Sequence, residues 1–278
     1  LVFGRRMPLR GVMFAGLGLV GVPAHAGVTQ QNIQNLPWSG DANDLETKVR
    51  DLVPFMLFNA LPIVGVLLVL LVVLLTARPD ESTRFNYSPG VLFALFGFGM
   101  ILVGMLGNIL HAADDLDLQG TVFDEAALVY IVYGAVLAAM GAVVHWAPKL
   151  WGGKLSPAAS GLALLGVTGT ILAAFPLYIA GFLDQPAGFA YDDDLLLWNI
   201  ISLVGHGLMA LTVLGFIALL LGSLRGRGAV GDDPWDAQTL EWATTSPAPR
   251  DNFVDVPVVH SAEPLLDLKS ASNDGSNA

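Results

Sequence analysis

Cysteine is absent from the 278 residues. That excludes disulfides, thiolate metal sites, iron–sulfur ligation and cysteine nucleophiles, so any metal must be held by histidine, carboxylate or backbone oxygen. Charge is scarce too. Charged residues make up 13% of the chain, against roughly 25% in a soluble domain. Basic residues number 13 against 24 acidic, for a formal charge of −11. No stretch can neutralise a row of phosphates, which excludes nucleic acid as a partner. What is abundant is apolar: 54% of residues are hydrophobic and the mean hydropathy is +0.63. This is the composition of an integral membrane protein.

A bilayer core takes about 20 apolar residues in helix. Six stretches qualify, at 9–28, 52–76, 90–111, 123–147, 157–182 and 195–224, so the sequence predicts an all-α integral membrane fold with six transmembrane helices. The third and fourth carry Gly97, Gly99, Gly104, Gly107, Gly134 and Gly141, and small residues let helix backbones approach closely. Arg5, Arg6, Arg10, Arg78, Arg84, Lys149, Lys154, Arg225 and Arg227 fall on one side of these spans, with only Lys48 and Arg50 on the other. The positive-inside rule therefore places both the N- and the C-terminus in the cytoplasm.

The loops assigned to the outside are acidic, with Asp41, Asp44, Glu46 and Asp51, then Asp114, Asp115 and Asp117, then Asp184 and Asp192 to Asp194. They read as a solvated surface, or else as a docking face for a cationic partner. The Arg-Arg near the start and AHA at 24–26 imitate a signal peptide; the competing reading is a chain truncated upstream. Two domains are expected: a transmembrane six-helix domain at 1–227 and a cytoplasmic tail at 228–278. The end of the tail, KSASNDGSNA, reads as disordered. Within 233–253, two tryptophans and three prolines predict an extended segment docked on the cytoplasmic face near Lys149 and Lys154, with Asp236 or Glu241 beside those cations.

DPWDAQTLEWATTSPAPRDNF, from Asp233 to Phe253, resembles the C-terminal signature of subunit I of haem-copper cytochrome c oxidases, N-P-W-x-A-x-T-L-E-W followed by S-P-x-P-x-x-N-F. Further resemblances follow in family order. HWAPKLWGG from His145 is similar to the family's H-W-F-P-K-x-x-G, and FPLYIAGF from Phe175 and YDDDLLLWNIISLVG from Tyr191 also have counterparts. SPGVLFALFGFG from Ser88 and GMLGNIL from Gly104 resemble its ninth helix, and LVFGRRM the loop entering its seventh. The resemblance implies helices seven to twelve, half of a twelve-helix subunit I-type bundle in a bacterial plasma membrane. It implies haem and copper as cofactors, and other oxidase subunits, cytochrome c and membrane lipid as partners.

Resemblance and residues part at the ligands. The family's W-A-H-H-M, whose histidines bind copper, is met here by VPAHAG, so His25 remains as a possible remnant copper ligand beside Ala26. The family's A-H-F-H-Y-V, one histidine for each haem, is met by Ala126-Ala127-Leu128-Val129-Tyr130. The channel lysine of P-T-G-x-K falls at Val66, the His-Asp before the tenth helix around Gln119 and Gly120, and the arginine pair after the eleventh at Asp184 and Gln185. A haem iron needs an axial ligand, so this segment is expected not to bind the cofactors in the family's manner. Among the other histidines, His206 lies inside the last span, where a helix-to-helix hydrogen bond is expected.

The resemblance implies a subunit I-like component of an aerobic respiratory terminal oxidase, passing electrons from cytochrome c to dioxygen with proton translocation, here without the usual haem ligands. The alternative is a degenerate, non-catalytic paralogue acting as a structural or assembly subunit. A transporter would need charged or broken helices at mid-membrane, and the spans offer almost none.

Overall fold

The computed structural model describes residues 9–29, 60–76, 88–111, 116–188, 193–226 and 230–253, with 258–259, 261, 264–265 and 267–269. Six α-helices run through them: α1 Arg10–Thr29, α2 Leu61–Thr76, α3 Pro89–His111, α4 Phe123–Trp151, α5 Ala159–Phe182 and α6 Leu196–Ser223. Short 3-10 turns stand at Asp193–Leu195 and Leu240–Ala243. Four helices, α3 to α6, are long and apolar enough to cross a membrane; α2 and the part of α1 to Gly21 are apolar but shorter. The described residues thus form an all-helical bundle of the kind that spans a membrane, with four of the six expected spans long enough to cross it.

Neighbours in sequence pack as neighbours in space, α1 on α2, α3 on α4 and α5 on α6, with α4 against α5 joining the last two pairs. Lipid gives apolar side chains no reason to leave it, so close backbone approach and dispersion hold such pairs. A Cβ built on Gly65 would stand 2.6 Å from the Gly16 carbonyl, and one on Gly104 would stand 2.7 Å from that of Ala127. The centre is filled by Phe93, Leu137, Met140, Val144, Met209 and Phe216. Phe93 and Phe216 meet edge to face at 5.6 Å, the arrangement ring quadrupoles favour. Leu128, Leu164, Phe175, Leu203 and Leu214 point outward and are more than half exposed, as lipid-facing side chains are.

The fourth helix outruns the expected span, which ended at 147: α4 continues through HWAPK to Trp151. Pro148 sits in the last turn, and Gly152, at φ 75° and ψ 12°, returns its N–H to the Pro148 carbonyl. Glycine reaches that left-handed cap without a Cβ clash.

Candidate functional site

His145, Trp146 and Lys149 share the final turns of α4, and the tail folds back over them. Trp235 donates its indole N–H to the His145 carbonyl at 3.0 Å and stacks on the His145 ring, with centroids 5.9 Å apart. Trp242 is 1% exposed; its ring lies 5.2 Å from His145 and 6.0 Å from Trp146. Ala237 and Leu265 complete a small apolar core with the two tail tryptophans. Segment 233–253 is not extended throughout, because the 3-10 turn at Leu240–Ala243 is what drives Trp242 inward.

Lys149 is buried, and its ammonium donates to the Thr244 and Thr245 carbonyls and to the Thr244 hydroxyl. Three donors meet three acceptors, which is what a buried ammonium requires. The Lys149 carbonyl accepts from Ala248 N–H at 3.0 Å, so both ends of this residue bind the tail. Lys149 also lies over the Trp242 ring at 5.3 Å, and Lys154 over Trp235 at 4.6 Å. Of the expected carboxylates, Glu241 accepts from the Thr239 hydroxyl and acts on Lys149 through its charge without a direct bond, whereas Asp236 pairs with Lys269 at 2.6 Å. Aromatic faces and carbonyls therefore meet these two lysines.

Lys269, first residue of the stretch read as disordered, bridges Asp233 at 2.7 Å and Asp236. Burial alone would lower its pKa, but hydrogen bonds to both carboxylates and their charge outweigh that and leave it raised. Residues 270–278 lie outside the described ones.

Polar contacts tie the spans together, among them the Ser202 hydroxyl donating to the Ala173 carbonyl at 2.6 Å and the Trp151 indole N–H donating to Ser223 Oγ at 3.1 Å. The Tyr133 hydroxyl and His206 Nδ1 stand 2.6 Å apart across α4 and α6, the expected helix-to-helix bond. At the other end, Gln185 and Asn199 exchange amide hydrogen bonds, both 3.1 Å. Gln185, where the family has an arginine, thus closes a neutral pair instead of facing an acid group.

Haem and copper can be tested against the donors present. Ala127 is fully buried and Val129 partly so, and their alkyl groups offer iron no lone pair. From Phe123 to Val144, α4 contains no imidazole. These residues do not fit an axial haem ligand set. Val66, at the expected lysine position, is fully buried. His25 falls within α1, but its side chain lies outside the described residues, as does His260. His111 ends α3. Among the described residues, no three of His, Asp or Glu converge as a metal site would need.

Fold and tail together define a membrane helical bundle whose later chain closes over one end of it. No protein-family model matches the chain. It is 30% identical over 196 residues to the probable cytochrome c oxidase subunit 1 of Bradyrhizobium diazoefficiens, a match spanning 67% of this chain and 29% of that protein. With cytochrome c oxidase subunit 1 of Alkalihalophilus pseudofirmus it shares 32% over 191 residues, 66% of this chain and 31% of the other. With that of Bacillus subtilis it shares 33% over 197 residues, 68% and 32%. The chain is a relative of cytochrome c oxidase subunit 1, matching the C-terminal part of those proteins, and spans about a third of the length of the curated relatives it matches.

Proposed function

We propose that the chain is a subunit I-type component of an aerobic respiratory terminal oxidase complex, one that contributes helical scaffold and no α4 haem ligand. The observation carrying this reading is the Trp235 to His145 hydrogen bond: two segments that separately resemble the family's motifs, 90 positions apart, meet. In this reading six helices span a bacterial plasma membrane, residues 1–227 form the bundle, and 228–278 form a cytoplasmic tail docked through 233–253. The partners are other oxidase subunits, with cytochrome c and dioxygen belonging to the complex.

The fully buried Ala127, whose carbonyl packs close to Gly104 and whose side chain offers no ligand atom, favours a non-catalytic paralogue with a structural or assembly role over a catalytic subunit. The test is affinity purification of the tagged chain from its native membranes, with mass spectrometry and a reduced-minus-oxidised spectrum on the same sample. Oxidase subunits should co-purify, and the chain freed from them should carry no stoichiometric haem. A chain that runs alone defeats the proposal, and haem retained by the separated chain defeats its non-catalytic form. For orientation, Ser156→Cys should label from the cytoplasm and Ala187→Cys from outside; exchanged labelling would reverse the topology, and labelling of both from one side would defeat it.

A further inference from the structure

An open cavity of about 670 Å³ lies where α6 ends, lined by residues of three segments: Lys154 and Ser156 before α5, Ala218 to Ser223 of α6, and Val230 to Pro234 of the tail. Its wall is mixed. Ala218, Leu219, Val230 and Pro234 are apolar, while Lys154 and Ser156 bring a cation and a hydroxyl. The nearby acids are committed. Asp233 accepts from Ala237 N–H and from Lys269, and Asp232 accepts from Ser246 N–H at 3.1 Å. Among the described residues, Lys154 forms no ion pair; it is exposed, and the Trp235 face beneath it leaves its ammonium protons available. Ser156 Oγ accepts from Ala158 N–H at 3.3 Å, which leaves its own proton to donate.

The location selects the ligand. α6 carries exposed apolar residues, Leu211, Leu214, Ile217 and Leu221, up to the turn that supplies the cavity-lining Gly222 and Ser223, so the cavity sits where a hydrocarbon-facing helix gives way to polar tail. A cation at such a boundary matches a phosphate group, and the apolar stripe matches the chains attached to it. Basic pockets at helix ends hold anionic lipid headgroups in this way. We infer that this cavity is a binding site for an anionic phospholipid, with Lys154 and Ser156 on the phosphate and the exposed face of α6 along the acyl chains. The inference is independent of any oxidase role.

Phosphate chemistry alone would also admit a free anion, and the test separates the two. The full-length chain in detergent is exchanged against dioleoyl phosphatidylglycerol or dioleoyl phosphatidylcholine, and retained lipid is counted by native mass spectrometry. Wild type should retain the anionic lipid with roughly fivefold preference, the scale of one lysine near a charged headgroup. Lys154→Gln should bring the ratio near one, and Lys154→Arg should keep it. Since Lys154 also touches Trp235, Gly222→Leu provides a second variant: Gly222 lines the cavity, and a Cβ there meets nothing within 4 Å. It should fill the space, abolish the preference and leave the helical circular dichroism unchanged. A wild-type ratio near one, an unchanged ratio in both variants, or displacement of the lipid by equimolar inorganic phosphate would each overturn the assignment.

Discussion

Gly97 lies against Gly134 so closely that a Cβ placed on it would stand 2.6 Å from the Gly134 carbonyl and equally near the Ala138 N–H. Both neighbours are backbone and cannot swing aside. Gly99, two residues on, has nothing within 4 Å of the same added carbon. Gly97→Ala should therefore force α3 from α4 and cost about 1–3 kcal/mol, as overpacking does. Gly99→Ala should be neutral or slightly stabilising, since alanine is the better helix former. Thermal unfolding of the two variants in detergent decides the matter, and equal midpoints would contradict the close approach.

The Tyr133–His206 contact joins α4 to α6. Hydrogen bonds between membrane helices contribute about 0.6 kcal/mol on average and up to about 1.7, because the separated helices also find partners. A double-mutant cycle of Tyr133→Phe and His206→Phe should give a coupling in that range. A coupling indistinguishable from zero would mean the two residues are neighbours without a bond.

For the tail, Trp235→Ala with Trp242→Ala should expose 233–253 to protease. Truncating a buried tryptophan costs about 3–5 kcal/mol, more than a segment of this size can lose and stay in place. Glu241→Ala removes the local bond to Thr239 and a Coulomb attraction to Lys149 without a direct contact, and should change little. Cleavage rates equal to wild type in the double variant would show that the rings do not hold the segment.

The Lys269 clamp gives the tail a pH response of defined sign. Its pKa is raised by Asp233 and Asp236 in spite of burial, so the folded form holds the proton more tightly. The stabilisation is complete below the unfolded lysine value of about 10.4 and is lost as pH rises through the higher folded value. Protease resistance should not change through the neutral range on this account and should fall at strongly alkaline pH. Lys269→Met should remove that alkaline component, by no more than about 1 kcal/mol because the pair is partly exposed. A component that persists in Lys269→Met belongs to another group.

Hydrophobic run length placed the later helices in the sequence to within a few residues: 157–182 became Ala159–Phe182 and 195–224 became Leu196–Ser223. Pro148 misled at the end of α4, because proline in a last turn forfeits little when a left-handed glycine caps that turn. The tail tryptophans were legible as buried anchors because large aromatics in a polar, proline-rich stretch have nowhere else to go. Lys269 was not, since its composition is that of a solvated end and its partners stand 33 and 36 positions upstream. Pairings at such separations, like Tyr133 with His206, leave no periodic trace; only the intramembrane polarity of His206 hinted at a partner.

Trp146 and Trp242 stack with their ring planes 22° apart at 6.0 Å, and the His145 ring lies 5.2 Å from Trp242 and 5.9 Å from Trp235. Indoles held this near couple their strong far-ultraviolet transitions, so seating the tail on α4 should add an exciton signature to the far-ultraviolet circular dichroism that separation removes. The molecule would thereby report optically, without any label, whether the segment from Trp235 to Trp242 is seated on α4.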